Sequence, residues 1–557
     1  MLLALGGICA VLAGATPTAT AATYPTVSGP VVAKAQPDGV FAVHSIPFAE
    51  PPVGDLRWRP PQPPQSWTTP RDGTKVAPAC AQGAGYPVMT LEGSEDCLYL
   101  SVYTTTPPPT AGVNRSSTAA EGKPVLLWVH GGGLVSGDGY LDGYYDGSHL
   151  AQAFNVVVVS IQYRLGTFGF MALPENQHDG EGTLGNLGLL DQQAAMKWAK
   201  QNVKFFGGDS DRITVFGESA GANSMCAHLV SPLSAGLFAR MVVESGDCGQ
   251  VRPAADVVAF SRSFAASRGC ATNGTALRKC LLSKSTSELL YPFGSDLSRS
   301  STLQHGNSWD PVFPWDMTAG DAALPLLPLE ALAARRFNKV PVIFGTNADE
   351  FQCACAKFSD DKCLFAMHVP VLVPGVTWPD LSDADLHKVV AHFGSQLSDD
   401  QFVNVLKAYP TSDFPRGAVS RLSQMMVDSQ QWIGSCQTRT AAKLVAAAGG
   451  YVYVYLFDHP GAYATTGHFS EVAYVFQACT YVDCQGTGML NATDHKLMFE
   501  MGTRWTSFAA SGNPSPTGTI SWPRYTTESD KVLKLGLPSS VVSDWRSDKC
   551  KLWVATN

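Results

Sequence analysis

The residues able to do chemistry lie just behind apolar runs. Arg212-Ile213-Thr214-Val215-Phe216 is β-branched and apolar, and it leads into Gly217-Glu218-Ser219-Ala220-Gly221. Residues 222–230 follow with few helix breakers and read as a helix. Between a strand and a helix, a Gly-x-Ser-x-Gly turn holds its serine in a strained backbone with Oγ above the sheet. Its flanking residues must be small, because strand and helix cross closely there. Ser219 is therefore the candidate nucleophile. The pentapeptide alone is a weak signal, since Gly and Ser are common in loops; the strand and helix around it carry the reading.

Three other apolar runs end in reactive groups. After residues 125–129 comes His130-Gly131-Gly132-Gly133. Three successive glycines cost backbone entropy, so they read either as a flexible turn or as a loop that brings its amides close to a developing oxyanion. After residues 340–344 comes Gly345-Thr346-Asn347-Ala348-Asp349-Glu350, where either carboxylate can orient a histidine or simply face solvent. Beyond residues 451–457 lies His468, with Glu471 three residues on. A lone histidine is more often structural. The chain order of nucleophile, acid and histidine, each beyond its own strand, favours the α/β-hydrolase pattern.

These strands must be positioned by a sheet. Apolar runs at 125–129, 156–162, 213–216, 241–243, 340–344 and 451–457 alternate with helical stretches, notably 189–206 and 496–510. Gly512 and Pro514 close the second of these helices. Continuous apolar strands separated by helices imply an α/β fold, with a large, mostly parallel central sheet covered by helices on both faces. Ligands in such sheets bind beyond the carboxyl ends of the strands, which is where the reactive residues sit.

The whole chain agrees. Its 557 residues suggest several domains by length alone, yet α/β folds run long as one unit, and 45% hydrophobic residues supply a large core. Only 15% are charged and the net charge is -8, so the chain has no electrostatic footprint for nucleic acid or an anionic membrane. Residues 2–14 form an apolar run, followed by small residues with Ala19-Thr20-Ala21 as a cleavage site. It has no positive start and is too short to cross a bilayer, and it reads as a secretory signal over 1–21. Fourteen cysteines suit an oxidising compartment, and the sequons at Asn114, Asn273 and Asn491 suit export. A secreted protein is expected, with residues 22–557 as one domain. No metal or organic cofactor is expected, and the histidines show no clear zinc-type spacing.

Further stretches add a resemblance: Ile46-Pro47-Phe48-Ala49-Glu50-Pro51-Pro52-Val53-Gly54, Glu95-Asp96-Cys97-Leu98-Tyr99-Leu100, Tyr163-Arg164-Leu165-Gly166, Asn186-Leu187-Gly188-Leu189-Leu190-Asp191-Gln192 and Phe205-Phe206-Gly207-Gly208-Asp209. With Phe216-Gly217-Glu218-Ser219-Ala220-Gly221, they resemble the type-B carboxylesterases of the carboxylesterase/cholinesterase family. The matches run from about residue 47 to 550, nearly the whole chain. The resemblance implies an α/β-hydrolase fold and a serine ester hydrolase. It implies Ser219 as nucleophile, Glu350 rather than Asp349 as acid, His468 as base, and the amides of Gly132, Gly133 and Ala220 as oxyanion donors. It also implies disulfides Cys80–Cys97, Cys270–Cys280 and Cys436–Cys550. Cys479–Cys484 is suggested by proximity and a bridge among Cys353, Cys355 and Cys363 would brace the acid's loop, while Cys226 and Cys248 stay undecided.

Departures from the family bear on substrate. Residues 81–96 hold no tryptophan to bind a choline cation, so the implied substrate is an uncharged small-molecule ester. The loop is also short for a swinging lipase lid. Insertions around 285–335 and 352–415 are expected to build the active-site entrance, with Trp309, Trp315 and Trp378 as candidates to line it. The alternatives are a catalytically inactive adhesion member of the fold, a lipase for longer acyl chains, or a peptidase using the same triad. Oligomeric state is not legible.

Overall fold

In the computed structural model the apolar runs become neighbours in one sheet. The structure describes residues 22–83, 93–109, 122–176, 182–271, 273–290, 314–351, 373, 375–392, 397–429, 433–460, 466–478 and 492–553. The expected signal over 1–21, Asn114, Asn491, Trp309 and Cys353, Cys355, Cys363, Cys479 and Cys484 lie outside these residues, as do parts of both expected insertions.

The strands are β1 (Ala22–Tyr24), β2 (Val31–Ala35), β3 (Phe41–Pro47), β4 (Arg71–Gly73), β5 (Tyr99–Thr104), β6 (Lys123–Val129), β7 (Val157–Ile161), β8 (Gly208–Glu218), β9 (Arg240–Glu244), β10 (Val251–Pro253), β11 (Met317–Ala319), β12 (Val342–Asn347), β13 (Val452–Phe457), β14 (Lys531–Leu535) and β15 (Ser540–Ser543). Thirteen form one sheet in the order β1-β2-β3-β5-β7-β6-β8-β9-β12-β13-β14-β15, with β4 beside β2, while β10 and β11 pair separately. From β7 through β14 every neighbouring pair is parallel, and antiparallel pairs flank this centre on both sides. The chain runs from β6 out to β7, then back across β6 to β8. This reversal of strand order opens a crevice at the carboxyl ends.

The central strands read as unbroken apolar runs because both their faces are buried. Val125, Leu127 and Val129 of β6 join one core cluster, together with Val157, Val159, Ile213, Val215, Met241, Val342 and Val454. The alternate residues Leu126, Trp128, Val158, Phe216, Val242, Ile343 and Tyr455 join a second. Helices Leu187–Asn202, Ala220–Val230 and Ser435–Ala447 contribute to the first cluster, and Val472–Phe476 and Ala492–Ser511 to the second. Each fully buried Val, Leu or Phe adds about 1.5–3 kcal/mol, so this two-sided burial dominates the fold's stability. A third cluster holds together helices Asp383–His392, Asp399–Ala408 and Ala418–Asp428, and Phe351 and Trp553 pack into it.

Boundaries differ from the apolar runs where pairing and burial part company. β8 begins five residues before Ile213 because Gly208 pairs with Lys123, although Ser210, Asp211 and Arg212 are not buried. β12 begins after Pro341, whose ring nitrogen has no hydrogen to give to the ladder. Two of the family-like stretches are joined by a buried ion pair. Arg164 Nε and Nη2 both donate to the Asp191 carboxylate at 2.7 Å, and Asp191 is fully buried. Burial raises the Asp191 pKa while Arg164 opposes that rise.

Four disulfides join the described cysteines: Cys80–Cys97, Cys226–Cys248, Cys270–Cys280 and Cys436–Cys550. Among the described residues no helix is long and apolar enough to cross a membrane.

Candidate active site

Ser219 is the single residue between β8 and the helix Ala220–Val230, with φ 56° and ψ −124°. This left-handed conformation costs a non-glycine residue about 1–3 kcal/mol, a penalty the surrounding structure must offset. The neighbouring glycines follow from how closely the chain passes itself. A Cβ at Gly217 would lie 2.7 Å from the Val129 carbonyl oxygen, and one at Gly221 would lie 2.1 Å from it. Ala220, as first helical residue, has an N–H with no acceptor inside the helix.

The glycine run after β6 packs onto the same turn. A Cβ at Gly131 would meet Glu218 Oε2 at 2.8 Å and Ser219 Cβ at 3.0 Å. Gly132 and Gly133 have φ of 106° and 62°, conformations that L side chains disfavour. The Gly132 carbonyl accepts from the amides of Val135 and Ser136, so the run closes into a tight loop. His130 stands beneath it, buried and stacked on Tyr163 at 4.4 Å, and burial lowers its pKa to about 4.

Beyond β12 and β13 two loops are sewn together. Asp349 N donates to Thr466 O at 3.3 Å and His468 N to Glu350 O at 3.1 Å, while Asn347 Nδ2 donates to Gly467 O at 2.9 Å. His468 Nδ1 lies 2.7 Å from Glu350 Oε2. The other Glu350 oxygen accepts from Asn347 N at 2.7 Å and Thr346 Oγ1 at 2.8 Å, which leaves the carboxylate little freedom to turn. Asp349, its neighbour, points elsewhere. It accepts from Ser423 Oγ and stands 3.8 Å from Arg416 Nη2, facing the helix Ala418–Asp428. The structure thus separates two carboxylates that adjacent positions could not distinguish.

The remaining imidazole nitrogen is not on the Ser219 hydroxyl, which donates no hydrogen bond among the described residues. His468 Nε2 lies instead 3.0 Å from Glu218 Oε1, a charge contact without hydrogen-bond alignment. Glu218 is the residue immediately before Ser219, so the imidazole stands one residue from the candidate nucleophile.

Around this pair the site is rich in carboxylates. Glu471, fully buried, accepts from Ser245 Oγ at 3.0 Å and Asn347 Nδ2 at 2.6 Å; Glu244, also fully buried, accepts from Trp505 Nε1 at 2.7 Å. Burial raises Glu218 to about 8 against the pull of His468, raises Glu471 to about 7 with help from the Glu350 charge, and pushes Glu244 well above the carboxylate range. For His468, burial works against the charged form. The carboxylates of Glu218, Glu350 and Glu471 outweigh it and hold the imidazole up to about 10, with a third of its side chain still exposed. The cluster therefore keeps protons that separated carboxylates would release, and its groups titrate together.

Several of these residues carry no sequence signal of their own. Glu218 occupies the variable position of the serine motif, Glu244 ends an apolar strand, and Asn347 reads as loop. Cys226–Cys248, whose pairing the spacing left open, ties the Ser219 helix to the segment after β9. Nearby, Asn223 Oδ1 accepts from Asp247 N at 2.6 Å. Trp315 is buried edge-on against Phe260 and Phe264, and Trp378 packs against the third core cluster.

Comparison with known proteins gives one answer. A family model described as the carboxylesterase family matches residues 16–553. An acylcarnitine hydrolase of Mus musculus is 32% identical over 553 residues, covering 93% of this chain and 87% of its own. A fumonisin B1 esterase of Sphingopyxis macrogoltabida is 34% identical over 502 residues, covering 86% and 80%. Among solved structures, a thermophilic PNB esterase superposes with a TM-score of 0.75 at 28% identity, covering 96% of this chain and all of that one. Matches of this extent, over a mostly parallel sheet with reactive groups at its carboxyl edge, establish that the chain belongs to the carboxylesterase family, as a carboxylic ester hydrolase of α/β-hydrolase fold.

Proposed function

We propose that the protein is a secreted serine esterase that hydrolyses uncharged carboxylic esters through an acyl-enzyme on Ser219. The observation that carries this reading is the 2.7 Å hydrogen bond between His468 Nδ1 and Glu350, made beside a serine held at φ 56°. Glu350 holds the imidazole tautomer and stabilises its cation. The step begins with a neutral imidazole whose Nε2 has turned from Glu218 to the Ser219 hydroxyl. As Ser219 Oγ bonds to the ester carbonyl carbon, its proton passes to Nε2 and the carbonyl oxygen becomes an oxyanion. The amides of Gly132, Gly133 and Ala220 receive that charge; losing one such donor typically costs about 3–4 kcal/mol of barrier.

The C–O bond to the alcohol then breaks, and the imidazolium returns its proton to the leaving oxygen. Water, deprotonated by His468, attacks the acyl carbon; the bond to Ser219 Oγ breaks, the imidazolium returns its proton to that oxygen, and the acid is released. The burial that raises Glu218, Glu244 and Glu471 disfavours negative charge at this site, an anionic acyl group included, which supports uncharged substrates. Secretion is supported by the four disulfides, which persist in oxidising compartments. Of the three sequons, Asn273 lies in the described residues, and it is exposed.

The test is labelling by a fluorophosphonate together with rates on p-nitrophenyl esters of rising acyl length. Labelling lost in Ser219→Ala, with turnover of the neutral esters by the parent, is the expected result. An unlabelled, inactive parent would sink the reading.

A further inference from the structure

The glycine loop after β6 has an external anchor. Gln82 is 1% exposed and lies in the loop closed by Cys80–Cys97. Its carboxamide grips the backbone of Gly137 from both sides, as a paired strand would. Nε2 donates to Gly137 O at 3.0 Å, and Oε1 accepts from Gly137 N at 2.9 Å. The second Nε2 hydrogen goes to Cys80 O at 3.0 Å, so both donor hydrogens and the carbonyl oxygen are used.

Gly137 is where the glycine loop closes. A Cβ there would stand 2.7 Å from Gly131 O and 2.8 Å from His130 Nδ1, so its backbone lies directly against the first glycine. The far side of Gln82 is equally fixed. Ala81 N donates to Ser94 O at 2.9 Å, Ser94 N to Ala79 O at 2.9 Å, and the disulfide joins Cys80 to Cys97, two residues before β5. A continuous path of bonded groups thus runs from the sheet through the disulfide and one side chain to the loop of Gly132 and Gly133.

We propose that Gln82, braced by Cys80–Cys97, is a positioning residue that holds the Gly132 and Gly133 amides at the oxyanion. The physical need is plain: a run of three glycines has large conformational freedom, and donors that must reorganise during reaction lose most of their catalytic effect. This inference rests on the proposed role of those amides. The brace acts in the transition state, where the carbonyl oxygen carries charge, more than in substrate binding.

The experiment uses Gln82→Met, which keeps the volume but removes all three hydrogen bonds, with Gln82→Ala as second variant. Steady-state rates on a p-nitrophenyl ester are normalised to sites counted by fluorophosphonate titration, so unfolded protein does not enter. Affinity for a trifluoromethyl ketone, whose adduct carries the oxyanion, is measured alongside. We expect kcat to fall about 10- to 100-fold, short of deleting a donor outright, with KM within about threefold. Ketone affinity should fall in step with kcat/KM, and Cys80→Ser with Cys97→Ser should change both in the same direction. Parent-like kcat and ketone affinity in Gln82→Met, within about twofold, would overturn the proposal, as would equal losses in KM alone. A parent without esterase activity would instead indict the proposed function.

Discussion

Glu218 Oε1 stands 3.0 Å from Nε2 of His468, across the imidazole from the Glu350 carboxylate on Nδ1. The candidate base is thus held between two carboxylates, and the one next to Ser219 stabilises its protonated form. A base must be neutral to act, so on the proposed mechanism the Glu218 charge raises the pH at which His468 can take a proton. Removing the Glu218 charge in Glu218→Gln lowers the His468 pKa, since that charge raises it. The acid limb of the kcat/KM profile should move to lower pH; an unmoved limb would separate Glu218 from the titration.

The same cluster governs stability. Glu218 and Glu471 have folded pKa values raised to about 8 and 7, and His468 is raised to about 10. Groups raised on folding stabilise most below their unfolded pKa, and that contribution is lost as pH climbs through the folded value. The denaturation midpoint in urea should therefore fall as pH rises from 5 towards about 10, with a shallower fall in Glu218→Gln. A midpoint that rises over that range would contradict the shifts.

Ser219→Ala should reduce kcat by about 10⁶-fold, as for other serine nucleophiles, without a change in melting temperature. Alanine occupies the same strained turn and fills the same space. Appreciable remaining turnover would move the nucleophile elsewhere.

Glu350→Gln should lower kcat by about 10⁴-fold, because the amide leaves the imidazole in the wrong tautomer. Asp349→Asn should leave most activity, since its side chain faces Ser423 and Arg416 rather than His468. Rates of the two variants on one ester decide it, and the reverse order would exchange the assignments.

The Cys226–Cys248 bridge closes a loop of 22 residues. Replacing both cysteines by serine should cost about 3 kcal/mol in a denaturant titration. A variant as stable as the parent would mean that the contacts of Asn223 with the neighbouring segment already hold this helix in place.

Strands, helices and the four chemically suggestive positions could be read from the chain because each depends on neighbours in sequence. Residues 125–129 are apolar throughout since both faces of β6 are buried, and Gly217 and Gly221 flank Ser219 since β8 and its helix leave no room for a Cβ. Element edges were less legible, as at Gly208, where backbone pairing continues into polar residues.

What required the tertiary structure is everything set by strand order. That order brings the loops of β12 and β13 against the end of β8, and so sends Glu350 to His468 while Asp349 turns to the helix Ala418–Asp428. It also packs Glu218 and Glu471 out of water near one imidazole, with Glu244 buried beside them, and their ionisation follows from desolvation and distance, neither of which sequence spacing encodes. The chain by itself determined which groups were available; only the folded sheet decided which of them share a proton.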